Sequence, residues 1–132
     1  MKYRLSNKEI QSVLNSDIDS RVRYFVHKVA DWKKMWLMGN KNSFFTDKNS
    51  NDEEVLVIWP FREYAEISLK DRLHFQEQLI EMDIHFFLEN FIEYLLKKNV
   101  KIFMFPGEEM DGAIMTAESF KNMMEEELDR ME

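Results

Sequence analysis

The sequence predicts an α+β domain: an N-terminal helical hairpin, then a mixed or mainly antiparallel sheet of about five strands with helices packed on it. Three observations carry this. Two adjacent stretches between residues 7 and 32 bear apolar side chains at helical spacing. The run Val55-Leu56-Val57-Ile58-Trp59 is apolar, largely β-branched and stopped by Pro60. Beyond it, amphipathic helical patterns alternate with short apolar runs, some joined by tight turns.

Ser6-Asn7-Lys8-Glu9 has the form of a capping box, so a short helix over 7–15 follows, with Ile10, Val13 and Leu14 on one side. A second helix starts near Asp17–Ser20 and ends near Trp32, with Ile18, Val22, Phe25, Val29 and Trp32 as its stripe. Met35–Met38 is a short apolar run stopped by the turn signal Gly39-Asn40, and Ser43–Thr46 is its hairpin partner. Residues 47–54 are polar throughout and read as an exposed loop. Val55–Trp59 fits a central strand buried on both faces, and Pro60 suits the first turn of a helix over 61–69. Glu77–Met82 alternates as a strand would. Asp83 caps a long helix bearing Ile84, Phe87, Leu88, Phe91, Ile92 and Leu95, which ends at Lys97, Lys98 and a left-handed Asn99. Val100–Phe105 is the next strand, closed by Pro106-Gly107, and Ala113–Met115 a short one. Thr116 caps a last helix with the stripe Ala117, Phe120, Met124, Leu128 and Met131.

No repeat or linker divides the 132 residues, so residues 1–132 form one domain. Eleven Phe and three Trp mean that large rings fill much of its interior. The lack of cysteine excludes disulfides, thiol nucleophiles and cysteine-ligated metals. Met1–Ile10 lacks the apolar core of a signal peptide, and no apolar run approaches the ~20 residues of a membrane helix. The expected compartment is the cytoplasm, with no membrane partner.

The net charge of −7 argues against non-specific nucleic-acid binding, which needs Lys and Arg against phosphate. Residues 1–48 carry ten basic and five acidic side chains, whereas residues 49–132 carry eight and twenty. Opposite-sign faces meeting within one fold explain this. So does a dipolar molecule that docks a charged partner or a second copy, leaving monomer and homodimer both open.

Motifs of chemistry are missing. There is no G-x-S-x-G, no phosphate-cradling loop and no dinucleotide fingerprint, and the three glycines stand apart at 39, 107 and 112. His27, His74 and His85 lack the spacing of metal ligands. Glu108-Glu109 and Glu125-Glu126-Glu127 fall in a loop and on a polar helix face, where water keeps carboxylates ordinary. No cofactor, metal or catalytic residue is expected. Ten methionines, several near the C-terminus, fill core gaps or form an adaptable docking surface.

Two constellations remain. Arg21, Tyr24, Lys28 and Asp31 share a band beside the apolar face of the second helix, suited to a polar ligand or partner; local pairing of Lys28 with Asp31 and a snorkelling Arg21 explain it equally. Trp32, Trp36, Trp59 and Phe61 suit a pocket or interface, or the core.

Arg21-x-x-Tyr24-Phe25, Val29-Ala30-Asp31 and Trp36, then Trp59-Pro60 with Tyr64-Ala65, then Phe105-Pro106, together resemble domain of unknown function family 2750, of uncharacterised bacterial proteins. That resemblance implies a small α+β fold and no assigned activity. One departure is Phe44-Phe45, where the family pattern has Gly-Trp, which touches the register of the first hairpin. A fainter similarity, in Val55–Pro60 with its following helix and the closing Pro106-Gly107, is to SseB-type domains and immunity-type proteins that bind other proteins. It is a likeness of fold alone. The expected function is a non-enzymatic protein-interaction or accessory (immunity-like) module, with Arg21, Tyr24, Asp31, Trp36, Trp59 and Tyr64 as candidate binding residues. The alternative is a small-ligand or enzymatic pocket near Arg21, Tyr24, Asp31 and Trp59.

Overall fold

The computed structural model describes residues 5–40, 43–72, 78–109 and 111–131. His74, Met110 and the start of the expected Glu77–Met82 strand lie outside them.

The N-terminal hairpin consists of α1 (Asn7–Leu14) and α2 (Ile18–Trp32). Each begins on a side-chain cap: Ser6 Oγ accepts from Glu9 N at 3.0 Å and Asp17 Oδ1 from Ser20 N at 2.7 Å. Such a cap contributes ~1 kcal/mol. Phe25, Val26, Val29 and Ala30 form the buried face of α2. Ile18, expected in that stripe, is 39% exposed. Arg21 is buried in its stead, which removes the snorkelling explanation.

Strand β1 (Lys34–Asn40) runs on through Gly39 and Asn40, which pair with Phe44 and Ser43 of the two-residue β2 (Ser43–Phe44). Gly39-Asn40, expected as the turn, therefore belongs to the strand. Part of the polar segment expected as a loop is paired too, since β3 (Asp47–Lys48) lies against β4 (Glu54–Trp59). Asn49 makes this possible: its Oδ1 accepts from Asn51 N and Glu53 N, and Asp52 takes the left-handed conformation at φ 61°. After β4 come α3 (Arg62–Ser68), β5 (Leu79–Asp83), α4 (Ile84–Asn90), α5 (Ile92–Lys97), β6 (Lys101–Met104), β7 (Ala113–Met115) and α6 (Ala117–Met131).

The expected single helix over 84–98 is thus two, divided at Phe91, which has a φ of −116°. Asn90 Nδ2 donates to Phe86 O at 2.9 Å at the end of the first of them. Asn99 closes α5 with φ 55°, and Val100 N returns to Leu95 O at 2.9 Å.

The sheet runs β5-β1-β4-β6-β7, with β2 and β3 as short additions to β1 and β4. Only β4–β6 is parallel; the other described pairings are antiparallel, so the sheet is mixed. Alternation puts Trp36, Trp59, Val57 and Val55 on one face and Leu37, Ile58, Leu56 and Met35 on the other. Arg62 stacks over Trp36, 5.4 Å from the ring centroid, so α3 lies on the first face. Helices α2 and α6 pack together through Phe25 and Phe120, and Phe87 of α4 meets Phe120 edge-on at 5.8 Å. One continuous core joins all these layers. It is an α+β domain, as the sequence predicts.

Candidate functional site

The carboxyl ends of β4 and β6 lie side by side, and each runs into proline: Trp59-Pro60 and Phe105-Pro106. Ligands of open α/β sheets gather at such ends. Phe105 N donates to Ile58 O at 2.8 Å, extending the pair by one bond. Phe105 itself is fully buried at φ 54°, a conformation that costs a side-chain-bearing residue about 1–2 kcal/mol. Packing holds it there: its ring meets Tyr64 at 4.8 Å and Tyr24 at 6.0 Å.

Above these strand ends, α2 and α3 meet through two phenols. Tyr64 Oη donates to Tyr24 Oη at 3.0 Å, and Tyr24 Oη donates to Glu9 Oε2 at 2.7 Å. Glu9, read from the sequence as half of a capping box, thus terminates a three-member chain from α3 to α1. Burial, then the bonds to Tyr64 and Glu9, push the Tyr24 pKa far above its ordinary 10.0. Tyr24 is a fixed neutral donor and unsuited to serve as a base.

Arg21, one turn before Tyr24, clamps the β6–β7 loop. Its Nη2 donates to Asp111 O at 2.7 Å and to Asp111 Oδ2 at 3.1 Å, while Gly107 N donates to Asp111 O at 3.1 Å. A Cβ on Gly112 would fall 2.7 Å from Met104 O and 2.8 Å from the Phe103 ring, so this loop re-enters the sheet through a gap only glycine fits. Two buried donors, Arg21 Nε and Trp59 Nε1, have no acceptor among the described residues.

The fold therefore brings together Arg21, Tyr24 and Tyr64 of the expected residues, with Trp59 sealed beneath in the core. Trp36 stands opposite Trp59 in register but is half-buried under Arg62. Asp31, ten residues along α2 from Arg21 and so ~15 Å away along its axis, faces solvent. The four residues of the expected pocket do not converge. Glu9, Phe105 and Asp111 were missed by sequence reasoning; no local spacing announces a contact across 90 positions.

A second feature lies across β2, α4 and α5. Phe44 meets Phe91 at 5.2 Å and Tyr94 at 5.8 Å, and Phe86 meets Phe91 at 5.7 Å, all edge-on. Phe86 is 51% exposed and Tyr94 49%, so this chain of rings emerges from the core onto the surface. Phe44 belongs to the pair that departs from the resembled family pattern.

Clefts lie elsewhere. One of about 390 Å³ between α2 and α6 has Val22, Val26 and Met123 in its wall and His27, Glu127 and Arg130 at its rim. His27 Nδ1 stands 3.6 Å from Glu127 there. Among the described residues no group of three His, Cys, Asp or Glu could hold a metal ion, and no helix is long and apolar enough to cross a membrane.

The fold and its strand-end cluster define a small mixed-sheet α+β domain whose prominent polar side chains are bonded to one another across three helices and a loop. Residues 22–124 match the family described as Protein of unknown function (DUF2750), well over half of the chain, and the chain belongs to that family. It matches no curated protein and no solved structure. The family match lends no support to the fainter likeness to SseB-type domains.

Proposed function

We propose that the protein is a non-enzymatic interaction module of accessory or immunity-like kind, and that its docking surface is the ring strip on β2, α4 and α5. The observation that carries this reading is the half-exposure of Phe86 and Tyr94 at the end of a ring chain rooted in the core. Rigid aromatic side chains anchored in this way contribute large contact area at small entropic cost, the usual character of an interface hot spot. The polar cluster at the strand ends supports the non-enzymatic half of the reading. Arg21 and the two phenols are engaged in internal bonds, and the Tyr24 phenol is locked neutral.

A photo-reactive phenylalanine analogue at position 86 tests the surface in living cells, with the same analogue at the exposed position 48 as control. A discrete protein adduct at 86 and none at 48 is the expected result. Absence of adducts at 86, with the variant folded, refutes it. A second reading, a small polar ligand at the strand ends, draws on Arg21 Nε and Trp59 Nε1, two buried donors without a protein acceptor. Protection of the Trp59 fluorescence by carboxylate or phosphate compounds would favour it over the interaction reading.

A further inference from the structure

Resting on the reading of the strip as a docking surface, we infer that its occupant is a second copy of this chain, paired across a two-fold axis with α4–α5 antiparallel to its mate. The helical winding persists through the break at Phe91: Phe91 N donates to Phe87 O at 2.9 Å and Leu95 N to Phe91 O at 3.0 Å. At about 100° per residue, Phe86, Glu89, Glu93, Tyr94, Leu96 and Lys97 then share one outer arc. All six are exposed, and Leu96, at 49%, matches Tyr94.

The charges on that arc are ordered. Glu89 and Glu93 come first and Lys97 follows, all exposed and none in an ion pair with a described residue, whereas Lys98 turns away to the side of Asp52, Glu53 and Glu54. An arc with acids at one end and a base at the other is complementary to itself when reversed. An axis near Tyr94–Leu96 sets Glu93 of each copy against Lys97 of the other, with the exposed Tyr94 and Leu96 flanking the pair. A two-fold contact requires this self-complementarity of one patch. A parallel contact in register would bring Glu against Glu.

The test uses sedimentation and light scattering on the purified full chain. Wild type is expected to form a concentration-dependent dimer. Tyr94→Ser with Leu96→Ser is expected to raise its dissociation constant at least tenfold, while the melting temperature reports that the fold is kept. The charge variants decide the geometry. Glu93→Lys, and separately Lys97→Glu, are each expected to be monomeric alone and to form a one-to-one dimer when mixed. A wild type monomeric at its highest soluble concentration overturns the inference, and so does a dimer indifferent to the charge variants. With a monomeric wild type, a heterologous adduct at position 86 in the photo-cross-linking experiment still upholds the docking surface; lack of any adduct removes both.

Discussion

Removing Asp111 and removing Arg21 should not cost the same, though they are partners in one ion pair. The Arg21 side chain is 4% exposed and that of Asp111 53%. Breaking a fully buried pair by deleting one member costs about 3–5 kcal/mol, because the survivor is left charged and dry. Asp111→Ala leaves Arg21 its bond to the residue 111 carbonyl, and water already screens the carboxylate, so about 1–2 kcal/mol is expected, between the exposed-pair and buried-pair ranges. Arg21→Ala also removes a buried stem and both bonds that hold the loop, and should cost about 3 kcal/mol or more. In urea, with a slope of about 2 kcal/mol per molar, these become midpoint losses of roughly 0.5–1 M and at least 1.5 M. The double variant should show a coupling of about 1 kcal/mol between the sites. A coupling indistinguishable from zero, or equal costs for the two single variants, would refute the view that Arg21 is the buried anchor of the β6–β7 loop. Arg21→Met is the informative companion, since an apolar side chain of similar length relieves the desolvation of the charge and should recover part of the loss.

Further outcomes follow from the same end of the sheet. Tyr24→Phe removes the bonds to both Tyr64 and Glu9 and should cost about 1–3 kcal/mol, more than Tyr64→Phe, which removes only the first of them, at about 0.5–1.5 kcal/mol, in paired denaturation curves. As pH rises past 10 the unfolded Tyr24 phenol loses its proton while the folded one, whose pKa is raised, keeps it. The unfolded state then binds fewer protons, and stability should fall by up to about 1.4 kcal/mol per pH unit; that part of the slope should vanish in Tyr24→Phe. Gly112→Ala must displace a carbonyl and a ring and should cost about 1–3 kcal/mol by thermal melt, whereas Gly107→Ala meets only the movable Asp111 carboxylate at 3.3 Å and should cost less. Trp59→Ala, in the core, should cost about 3–5 kcal/mol, and Trp36→Ala, half-buried, clearly less.

The parts of the fold legible in the sequence are those set by neighbours in the chain. Ser6, Asp17, Asp83 and Thr116 each cap the helix they precede, and Val55–Trp59 is the buried strand its composition announces. The unpredicted parts depend largely on distant partners. The division at Phe91 falls within a segment whose apolar spacing is unbroken. The left-handed Phe105 is held by rings from two helices, a cause that no window around residue 105 contains. The candidate band on α2 was half legible for the same reason. Spacing put Arg21 and Tyr24 together, but it could not reveal that Asp111 and Tyr64 would face them, nor that Asp31 points to water.

The parallel pairing of β4 with β6 also bears on how the chain is made. When Trp59 leaves the ribosome, the segment that will occupy one flank of Val55–Trp59 is still unsynthesised, because Lys101–Met104 is dozens of codons away. Until then the most apolar strand of the protein has a bare row of amides, the template on which nascent chains stick to each other. A message cut short before codon 101 should accordingly yield insoluble product.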